Sequence, residues 1–282
     1  GNQSLVRPLT PEDKMTFFKL LVKLGFKEIE IGYPSSSGTE FEFVRELIEG
    51  GHIPDDVFVQ VLTPAKENLI ARTFEALDGA KNVIVHLYNN LSPLHREVVF
   101  ETDLEGVTQL AVEGAGIVKR YGDRYREKGM NIRYEYSPES FTSTNTDEVI
   151  AVCSKIISIL APEGSEKLII NLPATVENLM PNQFADAVEY FIENLPERER
   201  TVVCVHPHND RGTGVAAAEM ALLAGAERIE GTLFGNGERS GNLDIITLAL
   251  NMLAEGVDPQ LRLNDILSVR KLYEKVTGMH VH

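Results

Sequence analysis

The sequence predicts an α/β fold, specifically a parallel (β/α)8 TIM barrel, and three observations carry that reading. Short apolar strands alternate with amphipathic helical stretches from end to end, the pattern of a parallel sheet covered by helices. The strands also share a parity. Glu30, Gln60, His86, Glu135, Asn171, His206 and Glu230 fall on one face, and Ile29, Ile31, Val59, Val61, Val83, Val85, Ile170, Val203, Val205 and Ile229 on the other. Outer faces of barrel strands pack on helices and are aliphatic, while inner faces point into the lumen. A doubly wound open sheet would be apolar on both. Finally, 282 residues is close to the ~250 typical of one such barrel.

Taken in order, residues 1–8 read as a loop. Thr10-Pro11-Glu12-Asp13 then supplies an N-cap hydroxyl, a proline at the first helical position and an acid at the capping-box position. The helix presents Phe17, Leu20, Leu21 and Leu24 on one face and stops at Gly25. A strand over 27–32 leads into a serine-rich loop at 33–38. Further strands are expected at 57–62, 82–87, 131–136, 167–172, 202–208 and 228–233. Amphipathic helices lie between them, one over 184–195 and another closed by Gly225. Seven strands are countable, and the chain opens on the loop and helix that would follow a first strand. The expectation is therefore a single barrel domain over 1–282 whose first strand lies upstream of residue 1.

The net charge of −15 argues against nucleic acid or an anionic membrane as partner. No apolar run approaches the ~20 residues of a membrane span, and no targeting signal is visible. Cys153 and Cys204 make neither a disulfide framework nor a zinc knuckle and suit a reducing cytosol.

Chemistry in such barrels sits where strands end. The strand Val202-Val203-Cys204-Val205-His206-Pro207-His208 closes on two histidines that point the same way, because side chains alternate with period two. Two imidazoles on one face are a natural pair of ligands for a divalent metal. The plainer alternative is two half-buried histidines held by hydrogen bonds. Neighbouring strand ends favour the metal: His86, Ser137, Glu139, Asn171 and Thr175 all continue the inward parity and can converge on the pair. Glu30, Gln60, Glu135 and Glu230 read as hydrogen-bond partners within the lumen. His52, His95, His280 and His282 read as solvated, and Cys204 as a small buried thiol. Asp210 and Arg211 are expected to fix the loop that follows and to orient His208 from behind.

His206-Pro207-His208-Asn209-Asp210-Arg211-Gly212 and Gly235-Asn236-Gly237-Glu238-Arg239-Ser240-Gly241-Asn242, with Gly1-Asn2-Gln3 at the start, resemble the DRE-TIM metallolyase superfamily. Within it they are most similar to the 2-isopropylmalate synthases. The similarity runs over essentially the whole chain, through Lys27-Glu28-Ile29-Glu30-Ile31-Gly32-Tyr33-Pro34, Glu135-Tyr136-Ser137-Pro138-Glu139-Ser140 and Asn171-Leu172-Pro173-Ala174-Thr175-Val176-Glu177.

The resemblance implies a cytoplasmic, homodimeric acyltransferase. It would condense acetyl-CoA with 2-oxoisovalerate, a Claisen-type step in leucine biosynthesis. It implies a divalent ion (zinc, manganese or magnesium) held by His206 and His208, with Asn242 at or near it. Glu139 matches the catalytic glutamate of acetyl-CoA enolisation. Thr175 matches the residue that binds the oxo-acid carboxylate. His86, Ser137, Leu62 and Pro173 line the pocket, and Leu62 with Pro173 shapes the slot for a branched side chain. The family's Arg-Asp pair precedes Gly-Asn-Gln, and this sequence begins at that glycine. The expectation is thus a catalytic barrel running into a linker region at its C-terminal end, with the regulatory domain absent. Two alternatives stay open: a sister homocitrate or citramalate synthase, and an inactive truncated barrel that binds metal or substrate only.

Overall fold

The computed structural model describes residues 2–161 and 166–281. Seven strands form one sheet in sequential order: β1 (Glu28–Gly32), β2 (Phe58–Pro64), β3 (Asn82–Asn90), β4 (Asn131–Glu139), β5 (Leu168–Ala174), β6 (Thr201–Pro207) and β7 (Arg228–Ile229). Every neighbouring pair is parallel. Ten α-helices are interspersed among the described residues. They are α1 (Pro11–Leu24), α2 (Gly38–Glu49), α3 (Glu67–Ala76), α4 (Pro93–Val98), α5 (Leu104–Glu127), α6 (Thr146–Leu160), α7 (Pro181–Asn194), α8 (Gly214–Leu223), α9 (Ile245–Ala254) and α10 (Ile266–Thr277).

The sheet is curled into a barrel. A flat sheet at ~4.8 Å per strand would hold β1 and β7 ~29 Å apart. Instead Arg228 Nε on β7 donates to Glu28 Oε2 on β1 at 2.7 Å, and Gln60 on β2 donates to Glu230 just beyond β7 at 2.7 Å.

The two faces divide as the parity predicts. Val59, Val61, Val83, Val85, Ile170, Val203 and Val205 are fully buried and join Phe74, Val107, Ala111, Phe184 and Val188 of the helices in one core cluster. Each such buried side chain contributes about 1.5–3 kcal/mol over exposure, so the helical jacket is the main source of stability. Local signals hold too: Thr10 and Asp13 form the reciprocal capping box, and α1 ends at Gly25.

One strand is shorter than read. The stretch expected at 228–233 pairs with β6 only through Arg228 and Ile229, and the backbone N–H of Glu230 adds one last bond to Val205. The chain then turns, because Gly231 packs against the Leu243 carbonyl so closely that a Cβ would sit 2.7 Å from it. Both cysteines are buried and free. Among the described residues, no helix is long and apolar enough to cross a membrane.

Candidate metal and acid–base site

The C-terminal ends of the strands gather most of the residues singled out by sequence. On β6 and just past it, His206 and His208 lie with ring centroids 5.5 Å apart. The 235–242 loop folds back over them, held by Asn209 N–H to Gly241 O at 2.9 Å, Leu243 N–H to Pro207 O at 3.0 Å and Asn242 N–H to Gly235 O at 3.0 Å. Glycine is required within that loop. A Cβ at Gly237 would sit 2.0 Å from the Asn242 amide nitrogen, and Gly241 (φ 112°) would drive one into the Gly235 carbonyl at 2.2 Å. The result places Asn242 Oδ1 2.8 Å from His206 Nε2, while the Asn242 amide nitrogen donates to Asn236 O at 3.2 Å.

That donor set fits a divalent metal. Once His206 is neutral with its proton on Nδ1, Nε2 and Oδ1 are two lone pairs aimed at one point. Adjacent ligands of a six-coordinate ion bound at about 2.0–2.1 Å stand about 2.8–3.0 Å apart, the spacing of these two atoms. His208 is in a different state: its Nδ1 accepts from Arg239 Nη2 at 2.7 Å, so ligation by His208 requires that bond to be given up. Burial, with the positive His206 and Arg239 nearby, pushes the His208 imidazole down to about 4.

Below this layer the lumen holds a polar network. His206 Nδ1 lies 3.1 Å from Glu230 Oε2, which also accepts from Asn171 at 3.1 Å. Glu230 Oε1 accepts from Gln60 at 2.7 Å and from Arg228 at 2.9 Å. Arg228 reaches Gln60 (2.9 Å), Glu135 (3.3 Å) and Glu28 (2.7 Å) as well. Burial opposes ionisation of Glu230, but Arg228 and His206 win and hold its carboxyl well below the usual range. Glu135 is fully buried, and burial plus the charge of Glu230 push it up to about 8. His86 resists burial through Glu135, Glu30 and Glu230 and rises to about 9. His206 rises too, the bond to Glu230 outweighing burial.

His86, Glu135 and Glu230 bring three potential ligand atoms within 4.8 Å of one another. The Arg228 guanidinium already supplies the positive charge there, so this cluster is an ion network and His206 and Asn242 make the better metal centre.

The remaining sequence candidates line the lumen wall and its rim. His86 Nε2 and Ser137 Oγ are 2.7 Å apart, and Asn171 donates to the same hydroxyl at 3.0 Å. Leu62 stands level with His86 and Pro173 level with His206. Thr175 Oγ1 accepts from the Ser140 backbone N–H at 2.9 Å, which ties it to the residue after Glu139. Glu139 itself ends β4 opposite Asn90. Burial raises its carboxyl, while the nearby His95 and a hydrogen bond from Asn90 partly offset the rise.

Several readings need correction. His95 is not a solvated loop residue: it is half buried in the first turn of α4, with Nδ1 3.0 Å from Ser92 Oγ. His280 is exposed but pairs with Glu274 at 2.8 Å, and His282 lies outside the described residues. Asp210 does act behind His208 as expected, through Arg239, whose Nε donates to Asp210 Oδ1 at 2.5 Å; that bond pulls Asp210 down to about 2. Arg211 contributes its backbone N–H to Glu177 at 2.5 Å, and its side chain is exposed. Sequence reading missed Arg228, although its parity with Glu230 places it in the lumen. It also missed Glu177 and Arg239, whose partners are distant in sequence.

A parallel βα barrel with a His–His–amide cluster at its strand ends and a charged lumen defines a class of metal-dependent barrel proteins. The HMGL-like family profile matches residues 1–272, and the chain belongs to that family. It is 54% identical over 274 residues to a 2-isopropylmalate synthase of Renibacterium salmoninarum, covering 97% of this chain and 47% of that protein. It is 52% identical over 282 residues to one of Azotobacter vinelandii, covering 100% and 50%. The chain thus spans about half the length of the curated relatives it matches. Among solved structures, the HMG-CoA lyase of Bacillus subtilis superposes with TM-score 0.75 at 18% identity, covering 100% of this chain and 91% of that one. The HMG-CoA lyase of Acinetobacter baumannii, in complex with coenzyme A and 3-methylmalate, gives 0.73 at 17%, covering 100% and 89%.

Proposed function

We propose that this barrel is the catalytic part of a 2-isopropylmalate synthase, condensing acetyl-CoA with 2-oxoisovalerate. The observation that carries the reading is the approach of His206 Nε2 and Asn242 Oδ1 to 2.8 Å at the strand ends. Identity above 50% to 2-isopropylmalate synthases supports it, and so does a structural relative that holds coenzyme A with a branched carboxylic acid. His206, His208 and Asn242 would hold the divalent cation, zinc, manganese or magnesium by the nature of their donors. When bound, that cation supplies Lewis acidity at the keto oxygen.

The side chains do the rest. Thr175 binds the oxo-acid carboxylate, His86 and Ser137 line the polar wall, and Leu62 with Pro173 bounds the branched group. Glu139 takes a proton from the acetyl-CoA methyl group, and its burial-raised carboxyl suits that role, since a general base works best with a pKa near the operating pH. The methyl carbon then bonds to the keto carbon, the keto oxygen takes a proton, and water cleaves the thioester to free coenzyme A. We place the protein in the cytoplasm as a homodimer; two buried free thiols are consistent with the first, and sedimentation of the full-length protein tests the second.

Thiol release from acetyl-CoA with 2-oxoisovalerate, pyruvate or 2-oxoglutarate, before and after chelation, decides the chemistry. Chelator-sensitive turnover selective for 2-oxoisovalerate supports the proposal. Selectivity for pyruvate or 2-oxoglutarate reassigns the substrate to a citramalate or homocitrate synthase. No release with any of the three leaves only a binding barrel.

A further inference from the structure

Glu230 is the hinge between the charged lumen and the strand-end cluster, and four nitrogens face its two oxygens. Oε1 faces Gln60 Nε2 and Arg228 Nη1 at 2.7 and 2.9 Å. Oε2 faces Asn171 Nδ2 and His206 Nδ1 at 3.1 and 3.1 Å. The Asn171 amide can rotate to offer its oxygen, which has no partner among the described residues. Gln60 is held by Arg228 Nη2 donating to its Oε1 at 2.9 Å, and the guanidinium can only donate. His206 follows whatever Glu230 presents.

We propose that Glu230 is a positioning residue that fixes the His206 tautomer, keeping the proton on Nδ1 so that Nε2 is free to ligate, and that Arg228 fixes the orientation of Glu230 in turn. The inference rests on the reading of His206 as a metal ligand. Histidine ligands are generally oriented by an acceptor at the other ring nitrogen, and loss of that acceptor weakens metal binding about 10–100-fold. What this lumen adds is a directional constraint. In Glu230→Gln the new amide must put its oxygen toward Arg228, so its NH2 turns toward His206. The imidazole must then accept at Nδ1 and carry its proton on Nε2, the nitrogen that faces Asn242. A substitution that preserves shape, volume and every heavy-atom contact therefore blocks the ligand position.

The test is carried out on the full-length protein with Zn2+ as the probe. Zn2+ affinity is measured by competition with a chromophoric chelator, and the His206 tautomer by NMR of 15N-histidine-labelled protein. The tautomer is read in the metal-free protein at a pH above the titration of the ring. The expected result is an affinity loss of about 10–100-fold in Glu230→Gln, with the barrel still folded by circular dichroism and the proton moved from Nδ1 to Nε2. Wild-type affinity in Glu230→Gln overturns the inference, as does weakened binding with the proton still on Nδ1. Should that variant not fold, the metal-free wild type still decides the matter, because Glu230 and Asn242 then compete for the one proton of the neutral ring: a proton on His206 Nδ1 supports the proposal, and one on Nε2 refutes it. A His206→Ala variant that binds Zn2+ as well as wild type would instead remove the metal assignment, a failure separate from that of the tautomer.

Discussion

Arg228→Met isolates what the lumen network contributes to the fold. The guanidinium is bonded to three carboxylates, Glu28 at 2.7 Å, Glu230 at 2.9 Å and Glu135 at 3.3 Å, and to Gln60 at 2.9 Å. Methionine keeps much of the volume but removes the cation bonded to all three. Glu230 is the carboxylate this guanidinium holds ionised, and its side chain is only 14% exposed, so water compensates little of the lost charge. Removing one partner of a buried ion pair costs about 3–5 kcal/mol, against a total domain stability of about 5–15 kcal/mol. Urea unfolding at pH 7.5, followed by circular dichroism, should show a loss in that range. The loss should shrink when Glu230→Gln is added, because the carboxylate that Arg228 keeps ionised is then gone. A loss below about 1 kcal/mol, or no recovery in the double variant, would refute the view that Arg228 neutralises the lumen.

Stability should fall as pH rises from about 7 to 9. His86 and Glu135 have folded pKa values of about 9 and about 8, both above their unfolded values, so each favours folding while protonated and loses that contribution as pH climbs through the folded pKa. One proton bound only by the folded state corresponds to about 1.4 kcal/mol per pH unit; a flat urea midpoint over this range would count against the network. Glu139→Gln should lower kcat by about 10²–10⁴-fold, the usual contribution of a general base, with little change in the KM for 2-oxoisovalerate; steady-state kinetics check this. Glu177→Ala strips the acceptor from the Arg211 N–H and the Thr213 hydroxyl, each a bond to a charged group worth about 1.5–3 kcal/mol. Amide hydrogen exchange at residues 209–214 should rise, and unchanged protection would mean that Glu177 does not clamp this loop.

The barrel was legible because two physical periods operate locally. A strand's period of two separates Val59 and Val61 from Gln60, or Val203 and Val205 from His206, whatever the neighbouring strands turn out to be. A capping box at Thr10 and Asp13 needs only four residues to declare itself. The exception is the last strand, read as six residues and observed as two. Its end is set by the Leu243 carbonyl against Gly231, a contact across twelve positions that carries no mark in the stretch itself.

The site divides along the same line. His206, His86, Ser137 and Asn171 were placed correctly in the lumen by parity, and parity also points to Arg228, since it stands two residues before Glu230 on the same face. Charge would have sharpened that reading: several inward carboxylates in one lumen demand a buried cation, and few inward positions carry one. The rim was not legible in this way. Arg239 bonds His208, Thr175 and Asp210 from a loop 31, 64 and 29 residues distant, and Glu177 reaches across 34 and 36 residues to Arg211 and Thr213. Such contacts follow from where the strand ends bring the loops, so they emerge only once the barrel is closed. The consequence is an asymmetry between the two histidines. His206 is tuned from below by residues that strand periodicity places, and His208 from above by residues that only the assembled loops place. Substitutions in the lumen should therefore act on His206 with the barrel's full rigidity behind them, whereas Arg239 holds His208 through a side chain that is 40% exposed and can be exchanged for a metal without disturbing the sheet.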